Sequence, residues 1–227
     1  MKAIVYSLLA GAMLLTSCAK DNVEPPKSRL TGRVVYQDQA VGVRSFGSTN
    51  LGSNASMLEL WQRGFGLFNK IPVFVDQDGT FSAELFDGDY KLVRSRGNGP
   101  WVDNTDSISV NVNGNTVLDV PVQPYFTFTN ASIQKSNNTM TATCTVSKTA
   151  TRDIERVVLF ISRTAIVDVT NNLARSEKAD ADVADLSKPL TFSLAIPASI
   201  RGTVYARLGV KAIGAGEYLY TPVQKFE

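Results

Sequence analysis

No histidine occurs in the 227 residues. That removes serine–histidine–aspartate and cysteine–histidine catalysis, histidine-ligated zinc and the ordinary imidazole pH switch. Two cysteines, Cys18 and Cys144, are too few for a four-thiolate metal site or a disulfide framework. Glycoside hydrolysis needs only two carboxylates roughly 5 to 10 Å apart, but no pair here stands apart from aspartates in turn sequences. Asp76-x-Asp78-Gly79 has the opening of a calcium loop, yet an alternating apolar strand fills the interval where further oxygen ligands belong. Asp-Gly there reads as a hairpin turn. The acidic set Glu177, Asp180, Asp182 and Asp185 reads as a solvated loop face. There is no glycine-rich phosphate loop, no Cys-x-x-Cys and no Gly-x-Ser-x-Gly. The chain therefore reads as non-catalytic, with no metal and no cofactor. Its 23 basic and 21 acidic residues leave +2, which provides no footprint for nucleic acid.

Aromatic rings are the stronger binding candidates. The flat C–H faces of sugars stack on them, and neighbouring amides and carboxylates bond the hydroxyls. Trp61 shares a strand face with Glu59, while Leu58 and Leu60 take the opposite, core-like face. Trp101 lies in the polar loop Gly97-Asn98-Gly99-Pro100-Trp101-Val102-Asp103-Asn104. Trp101 and Trp61, with Asn98, Asp103 and Asn104, are accordingly the candidate glycan contacts. On this reading Trp101→Ala abolishes glycan retention and leaves thermal stability nearly unchanged. Large aromatics also pin loops onto a sandwich edge, and that reading stays open beside the first. Tyr125, Tyr218 and Tyr220 read as packing residues of the domain junction and the last sheet.

The elements that must hold these side chains are strands. Charged residues make up 19% and apolar ones 44%, a balance that fits a folded globular protein. From Leu30 to Val122 short alternating runs are split by turn residues: Asp78-Gly79, Asp87-Gly88-Asp89 and Asn113-Gly114. Pro121 and Pro124 bracket a boundary near Gln123, because proline cannot donate to a continuing ladder. Strands then recur at Phe126 to Ile133, Thr139 to Val146, Arg156 to Ser162, Leu190 to Ile196, Thr203 to Lys211 and Glu217 to Thr221. Cys144 alternates with threonines and falls on the apolar face of its strand, as a buried structural thiol does. Asn171 to Leu186 breaks the pattern and reads as a surface loop with one helical turn. The fold expected is all-β: two tandem immunoglobulin-like β-sandwich domains, at 29–123 and 124–227.

The amino terminus carries an address. Met1-Lys2 precedes a twelve-residue run from Ile4 to Leu15, apolar apart from Ser7. As a helix it would reach about 18 Å, too short for a hydrocarbon core of roughly 30 Å. It reads as the core of a signal peptide over residues 1–17. The run ends in Leu15-Thr16-Ser17-Cys18, which resembles the lipobox of bacterial lipoproteins. The resemblance implies cleavage before Cys18 and acylation of its thiol and amine, anchoring the protein to the membrane. Residues 18–28, with Pro25-Pro26, form a semi-rigid tether. Lys20-Asp21 resembles the export signal that sends Bacteroidetes-type lipoproteins to the cell surface.

The Asp78-Gly79-Thr80-Phe81 turn and Leu85-Phe86-Asp87-Gly88-Asp89-Tyr90-Lys91-Leu92 resemble the prealbumin-like fold of carboxypeptidase regulatory domains. Val204 to Val210 with Tyr218-Leu219-Tyr220 resembles the last two strands of a fibronectin type III-like sandwich. The whole layout, with Leu58 to Gln62 and Pro124-Tyr125, resembles a family of Bacteroidetes lipoproteins associated with starch-utilisation-type glycan uptake systems. The resemblance implies a non-catalytic outer-membrane protein that binds saccharide or docks on the transporter complex. A purely structural, assembly or adhesion role without sugar binding is the alternative, and a glycoside hydrolase a remote one. Asp106-Ser107-Ile108 also fits the short O-glycosylation pattern of Bacteroidetes.

Overall fold

The computed structural model describes residues 24–45, 56–64 and 68–227. The signal peptide, Cys18 and the tether as far as Val23 lie outside the described residues, as does most of the Gly/Ser/Asn-rich loop after Arg44. The described chain is all-β and forms two domains. The N-terminal domain is built from β1 (Ser28–Tyr36), β2 (Gln39–Ala40), β3 (Leu58–Gln62), β4 (Lys70–Val73), β5 (Thr80–Leu85), β6 (Gly88–Arg94), β7 (Ile108–Val112), β8 (Asn115–Val117) and β9 (Val120–Pro121). The C-terminal domain holds β10 (Phe126–Ser136), β11 (Thr139–Lys148), β12 (Ile154–Ser162), β13 (Ala174–Ala179), β14 (Leu190–Ala195), β15 (Val204–Ala212), β16 (Leu219–Tyr220) and β17 (Gln224–Phe226).

Each domain is a pair of sheets. In the first, β2-β1-β5 forms one layer, with β8 and β9 running parallel to β1, and β4-β3-β6-β7 forms the other. Leu30, Val34, Phe81 and Leu85 from the first layer meet Leu58, Leu60, Leu92 and Val112 from the second, all buried. Alternation along each strand dictates this, since a period of two puts every second side chain on one face. In the second domain β10-β11-β14 faces β13-β12-β15-β16, with β17 also on β15. Met140, Ala142, Cys144 and Val146 of β11 point into that core. Each large side chain fully buried in this way contributes about 1.5–3 kcal/mol.

The Asp76–Gly79 segment is a turn. Val75 bridges Phe81, Asp76 N–H donates to the Thr80 carbonyl at 2.8 Å, and the Asp78 carboxylate accepts from the Thr80 hydroxyl at 2.7 Å. One element differs from the expectation. Asn171 to Leu186 is not a plain loop: it contains the edge strand β13, paired to β12 from Arg156↔Ala179 to Ile161↔Ala174. The sequence Ala-Arg-Ser-Glu-Lys-Ala lacks alternating apolar residues because backbone pairing and an Arg156–Glu177 ion pair at 2.7 Å hold the strand. A short 3-10 turn, Asp180–Val183, follows it. Asp182 pairs with Lys178 at 3.3 Å and Asp185 with Lys188 at 3.0 Å, so most of the acidic set already has cation partners.

Burial pushes the Cys144 thiol up to about 12, which keeps it protonated and unreactive. A Cys18→Ser protein is therefore expected to resist maleimide labelling at neutral pH until it is unfolded. Rapid labelling of the native protein would mean that β11 does not carry Cys144 inward.

The two domains are packed on one another rather than strung apart. The outer face of β12 and β15 is itself buried: Val158 and Phe160 pack with Val167, Tyr218 and Tyr220. Arg207, fully buried, rises from that face and donates to the Val43 carbonyl of the first domain at 3.1 Å. Its guanidinium lies 3.8 Å over the Tyr220 ring, and burial holds its pKa down to about 10, still charged at neutral pH. Tyr220 N–H donates to the Gly42 carbonyl at 2.9 Å. Arg44 of the first domain places Nε 2.7 Å from Glu217 Oε2 of the second. Burial raises the Glu217 carboxyl above its ordinary range, and Arg44 opposes that rise. Approach is closest where Gly216 meets Gly97: a Cβ on Gly216 would stand 1.9 Å from the Gly97 carbonyl oxygen.

Candidate functional site

The sequence-predicted contacts fall in two places. Trp101 does not face solvent; it is 2% exposed and belongs to the continuous buried cluster that spans both domains. Its backbone bridges Pro124, Val102 N–H donates to the Gln123 carbonyl at 2.8 Å, and Tyr125 N–H donates to the Pro100 carbonyl at 3.1 Å. The loop is thus sewn onto the domain junction, and its tryptophan is driven inward as the largest apolar group available to fill the seam. A buried ring has no face to stack on a sugar, so the contact expected at Trp101 is corrected to a packing role.

The companions of Trp101 serve the same loop. Asn98 donates its amide to the Ser56 carbonyl at 3.0 Å. Asp103 accepts from Gly97 N–H at 2.8 Å, and the Asn104 side-chain oxygen accepts from Asp106 N–H at 2.6 Å. Asp103 and Asn104 line an open recess of about 660 Å³ with Arg94, Arg96 and Gln123. That recess has no aromatic floor, because its tryptophan points away from it. It is polar but lacks the stacking platform that motivated the expectation.

Trp61 is placed as the parity of its strand dictates. Leu58 and Leu60 are fully buried, while Glu59 and Trp61 lie on the outer face of the sheet. Antiparallel register sets Trp61 opposite Lys70 of β4 on one side and opposite Lys91 of β6 on the other. Lys91 in turn faces Ser109 of β7, and Asp89 faces Asn111. Trp61, Arg63, Asp89, Lys91, Ser107, Ser109 and Asn111 line an open recess of about 670 Å³. Phe68, 54% exposed, lies with its ring centroid 5.0 Å from that of Trp61 at an interplanar angle of 39°. The result is an aromatic pair at one edge of a flat, hydrogen-bonding floor.

Polar groups of the floor are held in place. Asn111 donates its amide to Asp89 at 2.8 Å, Lys70 pairs with Glu59 at 3.0 Å, and Lys91 donates to the Ser109 hydroxyl. Such cross-strand contacts fix side chains whose rotamers would otherwise be ordered only when a ligand arrives. Chemically the arrangement can stack an apolar ring face on Trp61 and bond surrounding hydroxyls, with Asp89 as the carboxylate of its described lining.

Of this group the sequence reading had singled out Trp61 alone as a contact. The signal for the others was present in the alternation of Asp89 and Lys91 against Tyr90 and Leu92, and of Ser109 and Asn111 against Val110 and Val112. Those parities show which side chains face outward. They do not show that β7, β6, β3 and β4 lie side by side in that order, which is what assembles the recess.

Comparison with known proteins follows the same two-part division. Residues 28–123 match the family described as the N-terminal domain of DUF3823, a protein of unknown function, and residues 126–225 match the domain DUF3823_C. A solved DUF3823 family protein from Bacteroides ovatus is 37% identical, with a TM-score of 0.76 over 88% of this chain and 98% of its own. One from Parabacteroides merdae, also 37% identical, has a TM-score of 0.79 over 90% of this chain and 100% of its own. A protein from Bacteroides uniformis described as a "putative carbohydrate binding protein" is 18% identical, with a TM-score of 0.69 over 89% and 99% of the two chains. At that identity the likeness is one of fold. Among curated proteins, none matches the chain.

Proposed function

The chain belongs to the two-domain DUF3823 family, and from that premise we propose that it is a non-catalytic, lipid-anchored surface protein that binds saccharide on the outer face of β3, β6 and β7. The observation that carries this reading is Trp61. It is held outward on β3 by the parity of Leu58 and Leu60, and hydrogen-bonding side chains line the recess beside it. A tryptophan on an open sheet face costs burial that the core could have used, and saccharide stacking explains its position. The description of the Bacteroides uniformis relative points the same way.

Leu15-Thr16-Ser17-Cys18 supports attachment to the outer membrane through acylated Cys18, with the protein outside the cell as an accessory of a glycan uptake system. Native affinity electrophoresis of the full-length protein in detergent, with a panel of host and plant polysaccharides in the gel, tests the reading. Retardation by at least one polymer is expected. Trp61→Ala should weaken it by about tenfold or more while the melting temperature holds. Equal retardation of wild type and variant would remove the sheet face as the site.

A second reading, docking on a transporter complex, is favoured by a groove of about 290 Å³ at the domain junction. Tyr36, Pro124, Phe128, Leu219 and Pro222 line it. Crosslinking in intact membranes that captures a transporter component through this groove, in a protein no polysaccharide retards, would favour docking over sugar binding.

A further inference from the structure

We infer that the Trp61 recess takes an acidic saccharide, one that carries a carboxylate or sulfate beside the stacked ring. This deepens the saccharide-binding reading and rests on it. Three cations lie near the ring: Lys70 and Lys91 opposite it on the two neighbouring strands, and Arg63, just past the end of β3, lining the same recess. Glu59 neutralises Lys70 at 3.0 Å. Among the described residues Lys91 and Arg63 form no ion pair, and Lys91 donates only to a neutral serine hydroxyl. Asp89 is the one carboxylate of the recess, and the Asn111 amide occupies one of its oxygens at 2.8 Å. Two cations therefore face one carboxylate across the floor on which the sugar would lie.

Geometry makes that excess usable. When a pyranose lies flat on an indole, its equatorial substituents project sideways, parallel to the sheet. Side chains directly opposite on adjacent strands stand about 4.5–5.5 Å apart at Cβ. A carboxylate at the ring edge is then within reach of Lys91 on one side and of Arg63 just past the strand end. Arginine adds a planar donor fork that fits carboxylate and sulfate oxygens two at a time. Asp89 is left to accept from a hydroxyl, and it would repel an anionic group placed on its side, which fixes the orientation. Phe68 is the aromatic neighbour of Trp61, with 5.0 Å between ring centroids, and neither lysine sits over the Trp61 face among the described cation–ring contacts.

The test compares polymers that differ only in charge. Full-length protein is run in gels containing homogalacturonan or its fully methyl-esterified form, and chondroitin sulfate or unsulfated chondroitin. Retardation at least about tenfold stronger for an acidic polymer than for its less charged counterpart is expected. The first pair reports carboxylate and the second sulfate. The preference should vanish in Arg63→Gln/Lys91→Gln, and all binding should vanish in Trp61→Ala. Equal or stronger retardation by the neutral polymers overturns the inference and leaves saccharide binding standing. Retardation by no polymer overturns both. Acidic retardation that survives Trp61→Ala, or survives the double substitution, overturns it as well, because charge would then act outside the recess. The wild-type comparison stands without either variant, so poor folding of a variant does not blunt the result.

Discussion

Trp101→Ala is expected to cost about 3–5 kcal/mol of stability, as the truncation of a buried tryptophan does, and to leave saccharide retention per folded molecule unchanged. That reverses the outcome expected from loop composition alone. The indole is 2% exposed and packs so closely on the backbone of its own loop that a Cβ on Gly99 would stand 2.1 Å from ring Cε2. The loop cannot simply collapse into the vacated space. Its backbone is bonded to Gln123, Pro124 and Tyr125 across the junction, so it is held open from both sides. A fall in melting temperature of about 6–20 °C follows for a protein of this size. Gly99→Ala should move stability in the same direction, because the indole would have to leave its seat. A Trp101→Ala protein that melts like wild type would mean that the ring fills no space in the junction.

Removal of Arg207 should have an effect of similar size and a different signature. Arg207→Ala is expected to lose about 3–5 kcal/mol and to split one calorimetric transition into two. The side chain is fully buried, bonds the Val43 carbonyl of the other domain and lies on Tyr220. Without it the Val43 carbonyl is buried with its donor gone, and the seam loses its central contact. The Arg44–Glu217 pair, the Gly42–Tyr220 backbone bridge and the Gln77 amide on the Ala165 carbonyl remain to connect the domains. Arg207→Met restores most of the volume and none of the hydrogen bonding. If Met recovers stability but the transition stays split, packing holds the second domain and the guanidinium couples it to the first. A single, unshifted transition in Arg207→Ala would show that the domains are coupled by other contacts.

Comparison of the two tryptophans shows where local sequence is informative. Trp61 sits in Leu-Glu-Leu-Trp-Gln, where two leucines at the right spacing commit their face to the core and leave the other face to Trp61. That reading needs five residues and the pleat of a strand. Trp101 sits among Gly, Asn, Pro and Asp, which describe a loop but not what the loop lies against. Its surroundings come from Pro124, twenty-three positions on, and from a second domain whose Gly216 reaches Gly97. Polar composition around a loop tryptophan thus argues for exposure only if nothing docks there. Strand β13 follows the same logic, since its pairing comes from β12 and its sequence carries little sign of it.

The all-β class, the two-domain division marked by Pro121 and Pro124, the inward turn of Cys144 and the outward turn of Trp61 are all legible in the chain's own residues. Each follows from a period of two or from a missing proline donor, properties contained within a few residues. That Trp101 is a core residue, that Arg207 joins the domains, and that Lys91, Asp89 and Asn111 stand beside Trp61 emerge with the packed fold. Those outcomes depend on sheet order and domain packing, which bring together residues tens of positions apart, and no short window of sequence contains both partners of such a contact.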